Sequence, residues 1–117
     1  LGHADEKGEG AGEGFNLNYP MPFGTTFEKW GAALEDACGK LLAYGPDVVV
    51  VSLGVDTFEK DPISQFKLKS GDYPVIGRRI AALGLPTLFV MEGGYAVDEI
   101  GINAVGVLTG FEDGARG

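Results

Sequence analysis

The sequence predicts an α/β fold in which helices flank a parallel sheet. Three observations support this: two short apolar runs with the composition of buried strands, helical periodicity around them, and a chemically useful polar residue after each run. Strands that alternate with helices are joined by right-handed crossovers and therefore run parallel. With 117 residues, of which 44% are hydrophobic, the chain can form a single domain around one core.

Residues 1–24 predict a glycine-rich loop segment containing one short strand. Phe15–Tyr19 alternates apolar and polar residues before a proline, which is typical of a short strand that reaches a turn. The spaced glycines from Gly8 to Gly14 invite comparison with a phosphate-binding loop. That comparison fails because no strand precedes them, and because Glu9 and Glu13 would repel phosphate.

Residues 25–117 predict the βα portion of the domain, beginning with a helix. Thr25 and Glu28 have the spacing of a capping box, in which their side chains bond backbone N–H groups at the helix start. The helix should end at Tyr44, because Gly45 and Pro46 follow. Apolar residues recur at intervals of three and four along it: Trp30, Leu34, Ala37 and Leu41.

The first strand follows directly, at 48–53. Its uninterrupted β-branched run is typical of a strand buried on both faces of a parallel sheet. Residues 54–71 then form a long irregular connection, and such loops usually carry function or move.

A second helix, a second strand and a third helix complete the prediction. Asp72 can cap a helix that runs through Leu83 and stops at Gly84, and 88–91 form the next strand. The third helix should begin at Asp98. Residues of the second helix expected to face inward are Val75, Ile76, Ile80 and Leu83, and those sharing one face of the third are Ile102, Val105 and Leu108.

Composition excludes several classes of protein. The net charge of −8 disfavours nucleic acid as a partner, since phosphate contacts require clustered Lys and Arg. No apolar run is long enough to cross a membrane, and no secretory signal is visible, so we expect a cytoplasmic protein. The lone Cys38 cannot form an internal disulfide and is expected to be a small buried residue rather than a reactive thiol. The lack of an initiator Met fits a fragment, a processed chain or an unusual start.

Two residues after the strands are candidates for chemistry. Asp56 follows the first strand and could be a metal ligand, a general base or a turn former. Tyr95 follows two glycines, so its phenol could stabilise charge on a carbonyl oxygen, or simply pack. Glu92 could be an acid in a pocket wall or face solvent. The carboxyl ends of parallel strands meet at one edge of a sheet, so Asp56 and Tyr95 can share a crevice.

The scarcity of histidine limits what this crevice can do alone. Catalytic zinc usually takes three protein ligands, and a metal-activated water usually needs a base as well. His3 is the only histidine and cannot supply both. A Ser-His-Asp arrangement is equally unsupported, because no serine lies in a nucleophile elbow.

Several segments together resemble the C-terminal part of the histone deacetylase family, with the bacterial acetylpolyamine amidohydrolases as the most similar branch. They are residues 10–22, Pro46-Asp47, Ser-Leu-Gly-Val-Asp-Thr-Phe at 52–58, Asp-Pro-Ile-Ser at 61–64 and Glu-Gly-Gly-Tyr at 92–95. The resemblance covers nearly the whole chain. It implies a three-layer arginase/deacetylase-like fold, of which only the C-terminal portion is present, and zinc-dependent hydrolysis of N-acetyl amides on polyamines or lysine.

The resemblance also implies roles for individual residues. Asp56 would ligate zinc, and the Tyr95 phenol would hydrogen-bond the scissile carbonyl. Gly93 and Gly94, with Glu92 and Phe58, would line the channel for the acetylated chain.

The rest of the family's site lies upstream, in a histidine pair and an Asp-x-His motif that this sequence does not contain. We therefore expect weak or absent zinc binding, no turnover by the chain alone, and self-association through surface that the missing parts would cover. Three hypotheses remain open: part of a zinc amidohydrolase acting on acetylated polyamine or acetyl-lysine, a non-catalytic oligomeric or binding module, and a new site formed between two copies.

Overall fold

A computed structural model describes residues 2–117 and confirms the parallel α/β architecture. Two strands form one parallel sheet in register from Val49 opposite Thr87 to Leu53 opposite Met91. After a short 3-10 turn at Gly10–Gly12, the order of elements is α1 (Phe27–Tyr44), β1 (Val49–Leu53), α2 (Asp72–Ala81), β2 (Thr87–Met91) and α3 (Ile100–Arg116). Among residues 2–117, no helix is both long and apolar enough to cross a membrane.

The N-terminal segment is irregular, and the strand predicted at Phe15–Tyr19 is wrong. An alternating pattern forms a strand only when a neighbouring strand accepts its hydrogen bonds, and the described part of the chain offers this segment none. Side-chain amides hold the segment instead. Asn16 donates to the Glu6 carbonyl at 2.7 Å, and Asn18 donates to the His3 carbonyl at 3.0 Å.

Helix α1 confirms the predicted end but not the predicted start. Gly45 adopts a left-handed φ of 74° and donates its N–H to the carbonyls of the last turn, as a terminating glycine does. The capping box is wrong: Thr26 precedes the helix, and the Thr25 hydroxyl donates to the Pro22 carbonyl at 2.6 Å. Cys38 is buried, as expected of a small core residue.

The sheet is covered on one face only, so the prediction of a strand buried on both faces is wrong for this chain. Val49 and Leu53 point into the core, whereas Val50 is 61% exposed. On β2, Leu88 and Val90 are 56% and 41% exposed. Val50 pairs with Leu88, so these side chains lie on the same side of the sheet. We call Val50, Leu88 and Val90 the open sheet face.

Helices α2 and α3 pack with their backbones almost touching. A Cβ atom on Gly77 would lie 2.0 Å from the Val107 carbonyl oxygen, and one on Gly110 would lie 2.1 Å from that of Pro74. Ile76, Ile80 and the following Leu83 are buried as predicted, but Val75 is exposed. The predicted cap is also different, because Asp72 is the first residue of the helix and its carboxylate accepts the Lys69 N–H at 2.7 Å.

Helix α3 buries the side opposite to the one its apolar pattern suggests. Ile102, Val105 and Leu108 share a face, but all three are exposed, while Asn103 and Val107 are buried against the core. The helix therefore has a second apolar side with no partner among residues 2–117.

Candidate active site

The loops that follow β1 and β2 are joined beyond the ends of the strands. The Glu92 N–H donates to the Leu53 carbonyl at 2.8 Å, and the Val55 N–H donates to the Gly93 carbonyl at 2.8 Å. These two bonds continue the parallel ladder by one step. They bring the residues after both strands to one edge of the sheet, where ligands bind in open α/β folds.

Asp56 lies in this junction, and two glycines make room for its carboxylate. A Cβ atom on Gly93 would lie 2.5 Å from Asp56 Oδ2, and one on Gly54 would lie 3.0 Å from Oδ1. The first distance is a clash, so any other residue at position 93 would displace the carboxylate. Gly93 is therefore required for this position of the carboxylate, whereas a side chain at Gly54 would make only a tight contact with it.

Tyr95 lies beside the same glycine. The Cβ position that approaches Asp56 on Gly93 is also 3.5 Å from Tyr95 Cε2. Tyr95 is 50% exposed, so it is accessible from solvent. The structure thus brings the two candidate side chains, a carboxylate and a phenol ring, together around the Cβ position of Gly93.

Tyr73, a buried residue that sequence reasoning did not identify, contacts the Asp56 loop from the core. The Tyr73 hydroxyl lies 3.0 Å from Thr57 Oγ1 and donates to the Val55 carbonyl at 3.4 Å, so it contacts both neighbours of Asp56. Burial is the main cause that raises the pKa of Tyr73 to about 12, and the nearby charge of Asp56 adds to it. The phenol therefore stays protonated and able to donate.

A second supporting residue, Asp61, was part of a segment noted in the sequence but had no assigned role. Its buried carboxylate accepts the N–H groups of Ile63 and Ser64 on Oδ1, at 2.8 and 3.2 Å. Its Oδ2 accepts the Tyr95 N–H at 2.9 Å. The only sequence signal was Asp-Pro in a loop, which indicates a turn but not a bond to a residue 34 positions away.

The other residues predicted to line a channel lie in different surroundings. Gly93 and Gly94 are half-buried beside the crevice, and Glu92 is exposed at the end of β2. Phe58 is buried in the core and its backbone bridges to Leu68, so its ring offers the crevice little surface.

The donors in this chain do not fit a complete zinc site. Across residues 2–117, no group of three His, Cys, Asp or Glu side chains is placed to hold a metal ion. Asp56 provides one carboxylate at the crevice, and His3 lies in the irregular N-terminal segment. Further ligands would have to come from elsewhere.

Comparisons with known proteins place the chain beside deacetylases. The histone deacetylase domain profile matches residues 1–110. Acetylpolyamine amidohydrolase 1 of Pseudomonas aeruginosa is 64% identical across 99% of this chain, and the enzyme of Mycoplana ramosa is 58% identical across 94%. These matches cover 34% and 32% of the two relatives, so the chain spans about a third of their length.

Solved structures give the same result. The crystal structure of acetylpolyamine aminohydrolase from Burkholderia pseudomallei superposes with a TM-score of 0.93 at 38% identity, over 97% of this chain and 33% of that one. The HDA15 HD domain superposes with a TM-score of 0.85 at 29% identity, over 92% and 31%. The chain therefore has the fold of the matching part of an arginase/deacetylase-like domain.

Proposed function

Because this chain belongs to the histone deacetylase domain family, we propose that it supplies the C-terminal part of a zinc-dependent deacetylase site. The observation that carries the proposal is that the Asp56 carboxylate and the Tyr95 ring both approach the Cβ position of Gly93. These are the two functional groups that the family resemblance assigns to this part of the domain.

Each group has a separate role in the proposed site. Asp56 would provide one anionic ligand to zinc, which in a complete site polarises an amide carbonyl and activates water. Tyr95 would donate a hydrogen bond to the carbonyl oxygen as negative charge develops on it. The single histidine, His3, lies in the irregular N-terminal segment, so a base and two further ligands would come from outside the chain.

We propose an acetylated polyamine as the substrate and acetyl-lysine as the alternative. Three relatives between 58% and 64% identical to the chain are named acetylpolyamine amidohydrolases. The net charge of −8 supports the same choice, since a polyamine keeps positive charges on the amines that are not acetylated.

The experiment that tests this function uses a chimera in which this chain replaces the matching third of the Pseudomonas aeruginosa relative. We expect the chimera to hydrolyse acetylated polyamine, and Tyr95→Phe to lower kcat by about 10²- to 10³-fold, as loss of one oxyanion donor does. Tyr44→Phe, which removes an exposed hydroxyl on α1, is the matched control. A folded but inactive chimera, or full activity in the Tyr95→Phe variant, would contradict the proposal.

A second candidate function is favoured by the open sheet face and the uncovered side of α3. Without the rest of the domain, these apolar surfaces would remain in water, which soluble chains avoid by association. In this alternative the chain is a non-catalytic module that associates with a second copy of itself.

A further inference from the structure

We propose that Asp61 is the positioning residue that fixes Tyr95 in the crevice, through the hydrogen bond from the Tyr95 N–H to Asp61 Oδ2. The inference rests on the proposed function, because it assigns Asp61 a part in the work of the Tyr95 phenol. It concerns a residue with no direct access to a substrate, since the carboxylate is buried beneath the two loops.

The Asp61 carboxylate is buried. Asp61 is only 7% exposed, and a carboxylate is rarely buried without compensation. Here three backbone N–H groups provide that compensation. One of them is the Tyr95 N–H, which comes from the loop after β2. The hydrogen bond to Tyr95 therefore offsets part of the free-energy cost of burying the Asp61 carboxylate.

The two carboxylate oxygens of Asp61 have different partners. Oδ1 bonds Ile63 and Ser64 and closes a turn within its own loop. Oδ2 bonds only Tyr95 among the described residues. The turn is thus organised by one oxygen, and the other is left to connect the loop that carries Asp56 with the loop that carries Tyr95.

The backbone immediately before Tyr95 consists of two glycines. Gly94 has a φ of +154°, a conformation that other residues rarely adopt, and it packs closely against the Val55 side chain. Two successive glycines place little steric restriction on the backbone dihedrals, so the local sequence does not fix the direction of the Tyr95 phenol. The hydrogen bond from the Tyr95 N–H to Asp61, immediately after this glycine pair, restrains the backbone that carries the phenol.

The test uses Asp61→Asn, which retains one oxygen for the turn but presents an NH2 group toward the Tyr95 N–H. Asp98→Asn, at an exposed aspartate in the same loop as Tyr95, is the matched control. Measured by NMR on the complete chain, hydrogen exchange at the Tyr95 amide should accelerate about tenfold or more in Asp61→Asn, because it loses a charged acceptor. Exchange in β1 should be unchanged.

Kinetics in the chimera separate positioning from general stability. We expect Asp61→Asn to lower kcat by about 10- to 100-fold with little change in KM, as misplacement of a catalytic group does. In a Tyr95→Phe background, Asp61→Asn should lower kcat by less than about twofold, because the hydroxyl that Asp61 positions is already gone.

Two results would overturn the inference: unchanged amide exchange at Tyr95 in Asp61→Asn, or the same loss of kcat with and without the Tyr95 hydroxyl. An inactive chimera carrying the natural Asp61 and Tyr95 would instead contradict the proposed function. The exchange experiment on the chain itself would still decide whether Asp61 holds Tyr95.

Discussion

At the scale of single residues, the site divides into groups that the sequence reveals and groups that it conceals. The proximity of Asp56 and Tyr95 could be predicted because each follows an apolar strand, and parallel strands place such residues at one edge. Tyr73 and Asp61 could not, because their partners lie 16 and 34 positions away. Local sequence cannot indicate which loop a buried hydroxyl or carboxylate will meet.

Tyr73 gives the first residue-scale prediction, which concerns stability in alkali. The pKa of its phenol is raised from the ordinary 10.0 to about 12 in the folded chain, chiefly by burial. The folded state therefore holds its proton more tightly than the unfolded state. This contribution is complete below pH 10 and is lost as the pH rises toward 12, by about 2–3 kcal/mol.

Urea unfolding at several alkaline pH values measures this effect. The Tyr73→Phe variant should lose the part of the pH dependence that belongs to this phenol, and Tyr44→Phe should keep it. At neutral pH, Tyr73→Phe should cost about 1 kcal/mol, because the Thr57 hydroxyl and Val55 carbonyl lose a partner. Identical alkaline profiles for the parent chain and Tyr73→Phe would contradict the assignment.

At the scale of secondary structure, periodicity predicted the three α-helices and the two strands of the sheet in their order, but not which sides they bury. The apolar face of α3 at Ile102, Val105 and Leu108 is exposed, and the buried side is marked by small residues that a hydrophobic pattern does not detect. The short strand at 15–19 failed for a related reason, since its pattern requires a partner strand. The sequence pattern shows which residues are apolar, whereas their burial depends on which helices and strands pack against them.

The glycine contact between α2 and α3 gives the element-scale prediction. Gly77→Ala would place a methyl group 2.0 Å from the Val107 carbonyl oxygen, so the helices must separate. We expect a loss of about 2 kcal/mol or more in the free energy of unfolding. Gly39→Ala, on the open side of α1 with no atom within 4 Å, should instead stabilise by about 0.5–1 kcal/mol. Equal effects of the two substitutions in urea unfolding would refute the close packing.

At the scale of the whole molecule, the chain has a buried core but leaves one apolar face of its sheet uncovered. Its helices cover one side of a two-stranded sheet, and it spans about a third of the length of its relatives. The resemblance in its sequence predicted this outcome, because the motifs for the histidine pair and the other zinc ligands are absent. The pattern of the valine strand alone did not, since it indicated burial on both faces.

The open sheet face leads to a prediction about association. We expect the isolated chain to form dimers or larger species across the micromolar range in sedimentation velocity, because apolar sheet surface is exposed. Val50→Asp on that face should shift the population toward monomer. Val97→Asp, at a more exposed valine in the loop before α3, should not. A parent chain that sediments as a monomer throughout would contradict the prediction.

We propose that this chain contributes one zinc ligand and one phenol to a site completed by other parts of the domain. Equilibrium zinc titration of the chain and of the chimera tests it most directly, with Asp56→Ala and the exposed Asp98→Ala as a pair. The chain alone should bind more weakly than about a micromolar, because affinity requires several converging ligands. The chimera should bind tightly, and Asp56→Ala should weaken that binding by more than about 100-fold, beyond the usual cost of an outer-shell change. Tight zinc binding that survives Asp56→Ala in the chimera would contradict the claim.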